Sequence, residues 1–379
     1  MTSNLFATVG LTVVGTAAVL AQTQTAPTNL RASADPRYAE VIATCKTPPA
    51  AARGGGPAAG ARAGGAGAPQ GAAAAAGGIP QGAAAGQGRG AAAAPAGPVE
   101  YTVTAIPGVI AANQRWTLVW QTTGNNADGI LATTDGGLLL AQHDNGAVVK
   151  LDRNGQASTV YRDTNTGGAL SMNSKGALFV VSRGLNQAVL QLAPERRVHA
   201  NKYQGDAFEC FGGINDLTAD SRGGVYFTMG GLYYSDPKGV VTAYGENLRT
   251  NGVVLSPDEK TLYVTNGAVV AAFDVRPDGS LANQREFVKL PSGGGDGLAV
   301  DSAGRLYVTV GGGGGGVPGL HVIAPDGKFL GTIAGPRNFI TAAFAGPDKK
   351  MLYAVFNDQR NVEVYTIPMI AEGYKGRAK

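Results

Sequence analysis

The chain has 379 residues, 58 of them Gly and 20 Pro, with 44% apolar, 7% aromatic and 15% charged residues. So much Gly and Pro with so little charge excludes a coiled coil, a helical bundle and a charge-driven disordered chain, and the length allows two or three domains or one large β-type domain with an appendage. The net charge of +4 is local: residues 1–98 hold six basic and two acidic residues while residues 99–379 hold 25 of each, so the main domain has no basic footprint for nucleic acid.

Leu5 to Ala21 is apolar and ends in Val19-Leu20-Ala21 before a polar Gln-Thr-Gln run. This pattern predicts a secretory signal at 1–21 and export to the periplasm or the medium; a single N-terminal anchor is the alternative, although the run is shorter than the roughly 20 residues a span needs. A short segment, 22–46, follows. From Thr47 to Pro98 the chain holds 22 Ala, 15 Gly and 7 Pro in 52 residues, with three Arg and no acid. Such a stretch has almost nothing apolar to bury and is expected to be a disordered linker. The two cysteines, Cys45 and Cys210, flank it. In an oxidising compartment they could form one bridge, or remain two thiols; spacing does not decide.

Internal periodicity dominates residues 99–370. A unit recurs in which an alternating apolar strand leads into an Asp-x-x-Gly or Pro-Asp turn and then an aromatic or aliphatic strand ending in small polar residues. Its copies begin at Asp128, Gly168, Asn215, Asn251, Asp296 and Thr341, five steps in 213 residues, or about 43 per step. That is the length of a four-stranded propeller blade. The predicted fold is all-β, a six-bladed β-propeller, with the early strand Gln114–Trp120 completing the sixth blade and removing its exposed edge. A basic tail is expected at 371–379. The innermost strands of a propeller begin at its central channel, so Asp128, Asn215, Asn251 and Asp296 should converge on one axis. Four oxygen-bearing side chains with no Cys or His suit a hard cation such as Ca²⁺.

Several stretches resemble a known family. Thr250-Asn251-Gly252 with Leu255-Ser256-Pro257-Asp258-Glu259-Lys260-Thr261-Leu262-Tyr263-Val264-Thr265, and Gly295-Asp296-Gly297-Leu298-Ala299-Val300-Asp301 with Gly304-Arg305-Leu306-Tyr307-Val308, are similar to two consecutive blades of the gluconolactonase, or senescence-marker-protein (regucalcin-like), family. Asn215-Asp216-Leu217 and Thr341-Ala342-Ala343-Phe344-Ala345-Gly346 match further segments, and the resemblance spans about residues 115–370. It implies a divalent metal in the channel, Ca²⁺ first with Zn²⁺, Mn²⁺ or Mg²⁺ as alternatives, and hydrolysis of a small-molecule lactone. It also implies that Asn251 and Asp296 ligate the metal, that Asp296 or a partner it orients handles the proton, and that Asn215 faces the substrate. Asp128 stands where the family has a Glu followed by Gly-Pro; this chain reads Ala127-Asp128-Gly129-Ile130, one methylene shorter and without the Pro. Gly212-Gly213-Ile214 replaces the Arg that some members use on sugar lactones, so the resemblance does not extend to aldonolactone specificity.

His143, near a strand end that borders the channel, is placed with Asn215 on the substrate side, as a proton-handling base or as a structural histidine. No Gly-x-Ser-x-Gly elbow supports a serine hydrolase, and the run Gly311–Gly316 lacks the Lys and helix of a phosphate loop, which leaves it a hairpin that could cover the cavity. The competing class is a non-catalytic exported propeller that binds a small ligand or protein and keeps a structural metal. No membrane span is expected after signal removal, and no oligomeric state is implied.

Overall fold

The computed structural model describes residues 30–46, 98–311 and 316–377. The predicted signal, nearly all of the Ala/Gly/Pro stretch and the centre of the Gly311–Gly316 run lie outside the described residues.

Six four-stranded antiparallel sheets form the body. The inner strands are Ile130–Ala132, Gly167–Met172, Leu217–Ala219, Thr250–Leu255, Gly295–Val300 and Phe339–Ala345. Each touches the next, and the first touches the last, which closes a six-bladed propeller. Closure is made by Thr117–Thr123, which pairs antiparallel with Asn361–Pro368 through Thr117↔Thr366 and Thr123↔Asn361. The strand begins later than Gln114 because Trp116 turns inward: its Nε1 donates to the Ala334 carbonyl at 2.8 Å and its ring packs on Phe339 at 4.8 Å between centroids.

The two kinds of polar position that recur in the repeat have different work to do. At the turns, Asn173, Asp220 and Asp301 accept backbone N–H groups: Asp220 Oδ1 takes those of Arg222, Gly223 and Gly224 at 2.8–2.9 Å, and Asp301 Oδ1 those of Ala303 and Arg305 at 3.0 and 2.9 Å. Asn173 does the same for Lys175 and Ala177 at 3.0 Å. Each folds its own loop, as Asx turns do. The Asn-Gly and Asp-Gly pairs at the channel are not turns. A Cβ on Gly129 would lie 2.5 Å from Ala169 Cα, one on Gly297 2.7 Å from the Ile340 oxygen, and one on Gly252 would press against the Asp296 carbonyl. These glycines let adjacent inner strands approach backbone to backbone, which draws the preceding Asp or Asn side chains together.

The ends of the chain also pack on the ring. Residues 30–46 form a 3₁₀ turn, Ala32–Ala34, and a short helix, Tyr38–Ala43. A Cys45–Cys210 disulfide anchors them, with Cα atoms 5.7 Å apart, which settles the pairing that spacing left open. The expected basic tail joins the body as far as it is described: Gly373 bridges to Asp301, and buried Arg377 donates through Nη2 to the Leu255 carbonyl.

Because Gly252 is fully committed to this close approach, Gly252→Ala should destabilise the ring by about 1–3 kcal/mol. Gly213→Ala, where a Cβ meets nothing within 4 Å, should change stability by a few tenths at most. Urea midpoints at constant m-value measure both.

Candidate active site

Strand register identifies six equivalent positions around the channel. Asp128, Asn215, Asn251 and Asp296 occupy four of them, Gly168 the one in the second blade, and Ile340 the one in the sixth. The four predicted polar residues therefore do meet, and all four line one cavity of about 30 Å³ with Arg183, Asp216 and Thr341. That volume holds an ion or a water molecule.

Threonines at the end of the second strands fix these positions across blade boundaries. Thr228 Oγ1 donates to the Asn251 carbonyl at 2.7 Å, and Thr265 Oγ1 to the Asp296 carbonyl at 3.0 Å. Asp216 ties the third blade to the fourth by accepting Val253 N–H at 2.8 Å. Asn215 Nδ2 donates to Asn251 Oδ1, and Asn251 in turn hydrogen-bonds the Asp296 carboxyl.

Arg183 is the site residue that repeat counting misses. It follows the second strand of the second blade, Leu178–Ser182, and enters the space that Gly168 leaves open; a Cβ on Gly168 would fall on its guanidinium. Nη1 pairs with Asp128 Oδ2, and Nη2 donates to the Asn215 carbonyl and, at 2.8 Å, to Asn215 Oδ1. The equivalent positions of the third, fourth and fifth blades are Gly230, Gly267 and Gly311, whereas the first blade carries His143. A long side chain standing where other repeats have Gly is the signal that could have found it.

His143 is 1% exposed and does not line the cavity. Its Nε2 lies 2.9 Å from Arg183 Nη1 and 3.8 Å from Asp128 Oδ2, and Asn125 Nδ2 is 3.3 Å from its Nδ1. Burial, then the Arg183 charge, holds its pKa well below the usual imidazole value, so it is a neutral ring. The direct substrate contact expected of His143 is replaced by a contact with Arg183, whose guanidinium stands between the ring and the channel.

The two carboxylates are driven apart in acidity. Burial would raise Asp128, but Arg183, with His143 and Arg31, outweighs it and keeps Asp128 ionised below the ordinary carboxylate value. For Asp296 the Arg183 charge and the Asn251 hydrogen bond are outweighed. Enclosure by protein, then the charges of Asp128 and Asp216, push it up to about 7. Among the described residues no three His, Cys, Asp or Glu side chains form a metal cluster, so a cation here would rely on amide as well as carboxylate oxygens.

A raised carboxyl stabilises the fold most at low pH: its contribution is fully present below pH 3.8 and is lost as pH rises through about 7. In chelator, Asp296→Asn should therefore raise the melting temperature at pH 8 by several degrees more than at pH 5. Thermal unfolding at the two pH values checks this.

Residues 164–355, just over half of the chain, match the SMP-30/Gluconolactonase/LRE-like region. The gluconolactonase of Zymomonas mobilis is 27% identical over 230 residues, which is 51% of this chain and 62% of that protein. Lactonase drp35 of Staphylococcus epidermidis is 31% identical over 197 residues, 43% of this chain and 57% of that one. The chain thus spans about three-fifths of the length of these curated relatives. A gluconolactonase structure from Xanthomonas campestris superposes with a TM-score of 0.58 at 20% identity, covering 75% of this chain and all of that one, a likeness of fold. On the matched region, the chain belongs to the SMP-30/gluconolactonase/LRE-like family of β-propellers.

Proposed function

We propose that the protein is a metal-dependent lactone hydrolase. The observation that carries this reading is the meeting of Asn215, Asn251 and Asp296 with Asp128 at an ion-sized cavity, with Asp296 held near neutrality. The donor set fits a hard cation. Burial first, then the charges of Asp128 and Asp216, disfavour the ionised form of Asp296, and a divalent ion would favour it. Asn251 and Asp296 would hold it, with Asn215 beside them. Asp128, already paired with Arg183, would act at longer range, consistent with its side chain being one methylene shorter than the Glu expected there.

A bound cation would polarise the lactone carbonyl and acidify a water. The remaining work falls to the chain. The cavity is too small for a ring, which would stay in the mouth with its carbonyl turned toward the site. Asp296, or a partner it orients, accepts a proton from water as the water oxygen adds to the carbonyl carbon. The ring C–O bond then breaks and the departing oxygen takes a proton, giving a hydroxy acid. Arg183 holds Asp128 and Asn215 in place, and neutral His143 supports Arg183 from behind.

Export is part of the same proposal. It is supported by the apolar Leu5–Ala21 run and by the Cys45–Cys210 disulfide, which favours an oxidising compartment. Among the described residues no helix is long and apolar enough to cross a membrane.

The test is turnover of aldono-, aliphatic and aromatic lactones with Ca²⁺, Zn²⁺, Mn²⁺ and chelator. Hydrolysis should require a divalent ion, and Asp296→Asn should lose on the order of 10²–10⁴-fold in kcat while still unfolding cooperatively in urea. Asn251→Ala should weaken cation binding and lose activity with it. Stoichiometric cation binding without turnover of any lactone would point instead to a ligand-binding propeller.

A further inference from the structure

Residues 30–46 lie against the rim of the second blade, beside Arg183, and against the connection that follows that blade. Thr166 Oγ1 donates to the Leu30 carbonyl at 3.1 Å and Ala32 N–H donates to the Arg183 carbonyl at 2.9 Å, so the backbone on both sides of Arg31 is pinned to the rim of the second blade. At the other end the segment is fastened by the Cys45–Cys210 disulfide and by Lys46, whose Nζ donates to the Gln204 carbonyl at 2.9 Å and whose N–H donates to Asp206 Oδ2 at 3.1 Å. A segment of this length, with one six-residue helix and a single fully buried side chain, Ala32, could not hold its place by burial alone.

Arg31 is exposed and makes no hydrogen bond or ion pair with the described residues, in contrast to Arg183 and Arg37, which are paired with Asp128 and Asp35. The backbone bonds on either side hold Arg31 on the rim next to Arg183, and its charge is felt by Asp128, Asp144, His143 and Arg183. With Arg183 committed to Asp128 and Asn215, Arg31 is the cation left to meet whatever lies in the mouth.

We propose that residues 30–46 are a disulfide-anchored strap completing the channel mouth, and that Arg31 on it selects substrates bearing a carboxylate. This rests on the channel being the lactone site and names the substrate class: lactones with an anionic substituent on the ring, their carbonyl toward Asp296 and their carboxylate toward Arg31. Guanidinium and carboxylate match in charge and in forked geometry.

The experiment compares γ-carboxy-γ-butyrolactone with the neutral γ-hydroxymethyl-γ-butyrolactone. In the wild type kcat/KM should favour the carboxylated ring, and Arg31→Gln should reduce that preference tenfold or more, chiefly through KM. Cys45→Ser, which frees the strap, should reduce it similarly, whereas Arg37→Gln on the same segment should leave it unchanged. An unaltered preference in Arg31→Gln overturns the proposal. If the wild type hydrolyses neither compound, the panel of lactones decides the hydrolase reading, and calorimetric titration with γ-carboxy-γ-butyrolactone decides this one: affinity lost in Arg31→Gln supports anion selection by the strap, and equal affinity overturns it.

Discussion

Six inner strands must lie close enough around one axis to seal a ring, and that constraint generates the site. Gly129, Gly252 and Gly297 have no Cβ because the neighbouring backbone occupies the space, and the residue before each is thereby aimed at the channel. Polar side chains that belong to separate blades are brought into a volume the size of a water molecule. Interblade bonds from Thr228 and Thr265 keep that geometry from relaxing.

Gathering carboxylates in a poorly solvated space is costly, and the protein resolves it unevenly. Arg183 reaches from the second blade and neutralises Asp128, so that side is ionised and static. At Asp296 burial and the neighbouring carboxylates outweigh Arg183 and the Asn251 hydrogen bond, and its pKa rises to about 7. Two chemically similar groups in one cavity thus acquire different roles from their neighbours alone. The arrangement depends on the second blade contributing Gly168, since any side chain there would displace the guanidinium.

The legible part of the fold was its repetition. The period of about 43 residues and the recurring turn chemistry indicated six blades, and the strand near Trp116 indicated how the ring closes. The recurrence of Asp-Gly and Asn-Gly at one phase also located Asp128, Asn251 and Asp296, though for a reason the pattern does not reveal: those glycines serve backbone approach, while the turn acids Asp220 and Asp301 serve their own loops. His143 lies on the channel side, as its strand-end position suggests, but behind Arg183.

What the sequence determined by itself is whatever depends on local period and turn geometry: strand lengths, blade number, and which residues open each inner strand. Which charges face one another was decided only by the tertiary structure. Arg183 with Asp128, Cys45 with Cys210 and the Ala32 N–H with the Arg183 carbonyl are encounters between segments separated by dozens of residues, and no spacing encodes them. Electrostatic energy depends on distance and local dielectric, and both exist only once the ring has closed.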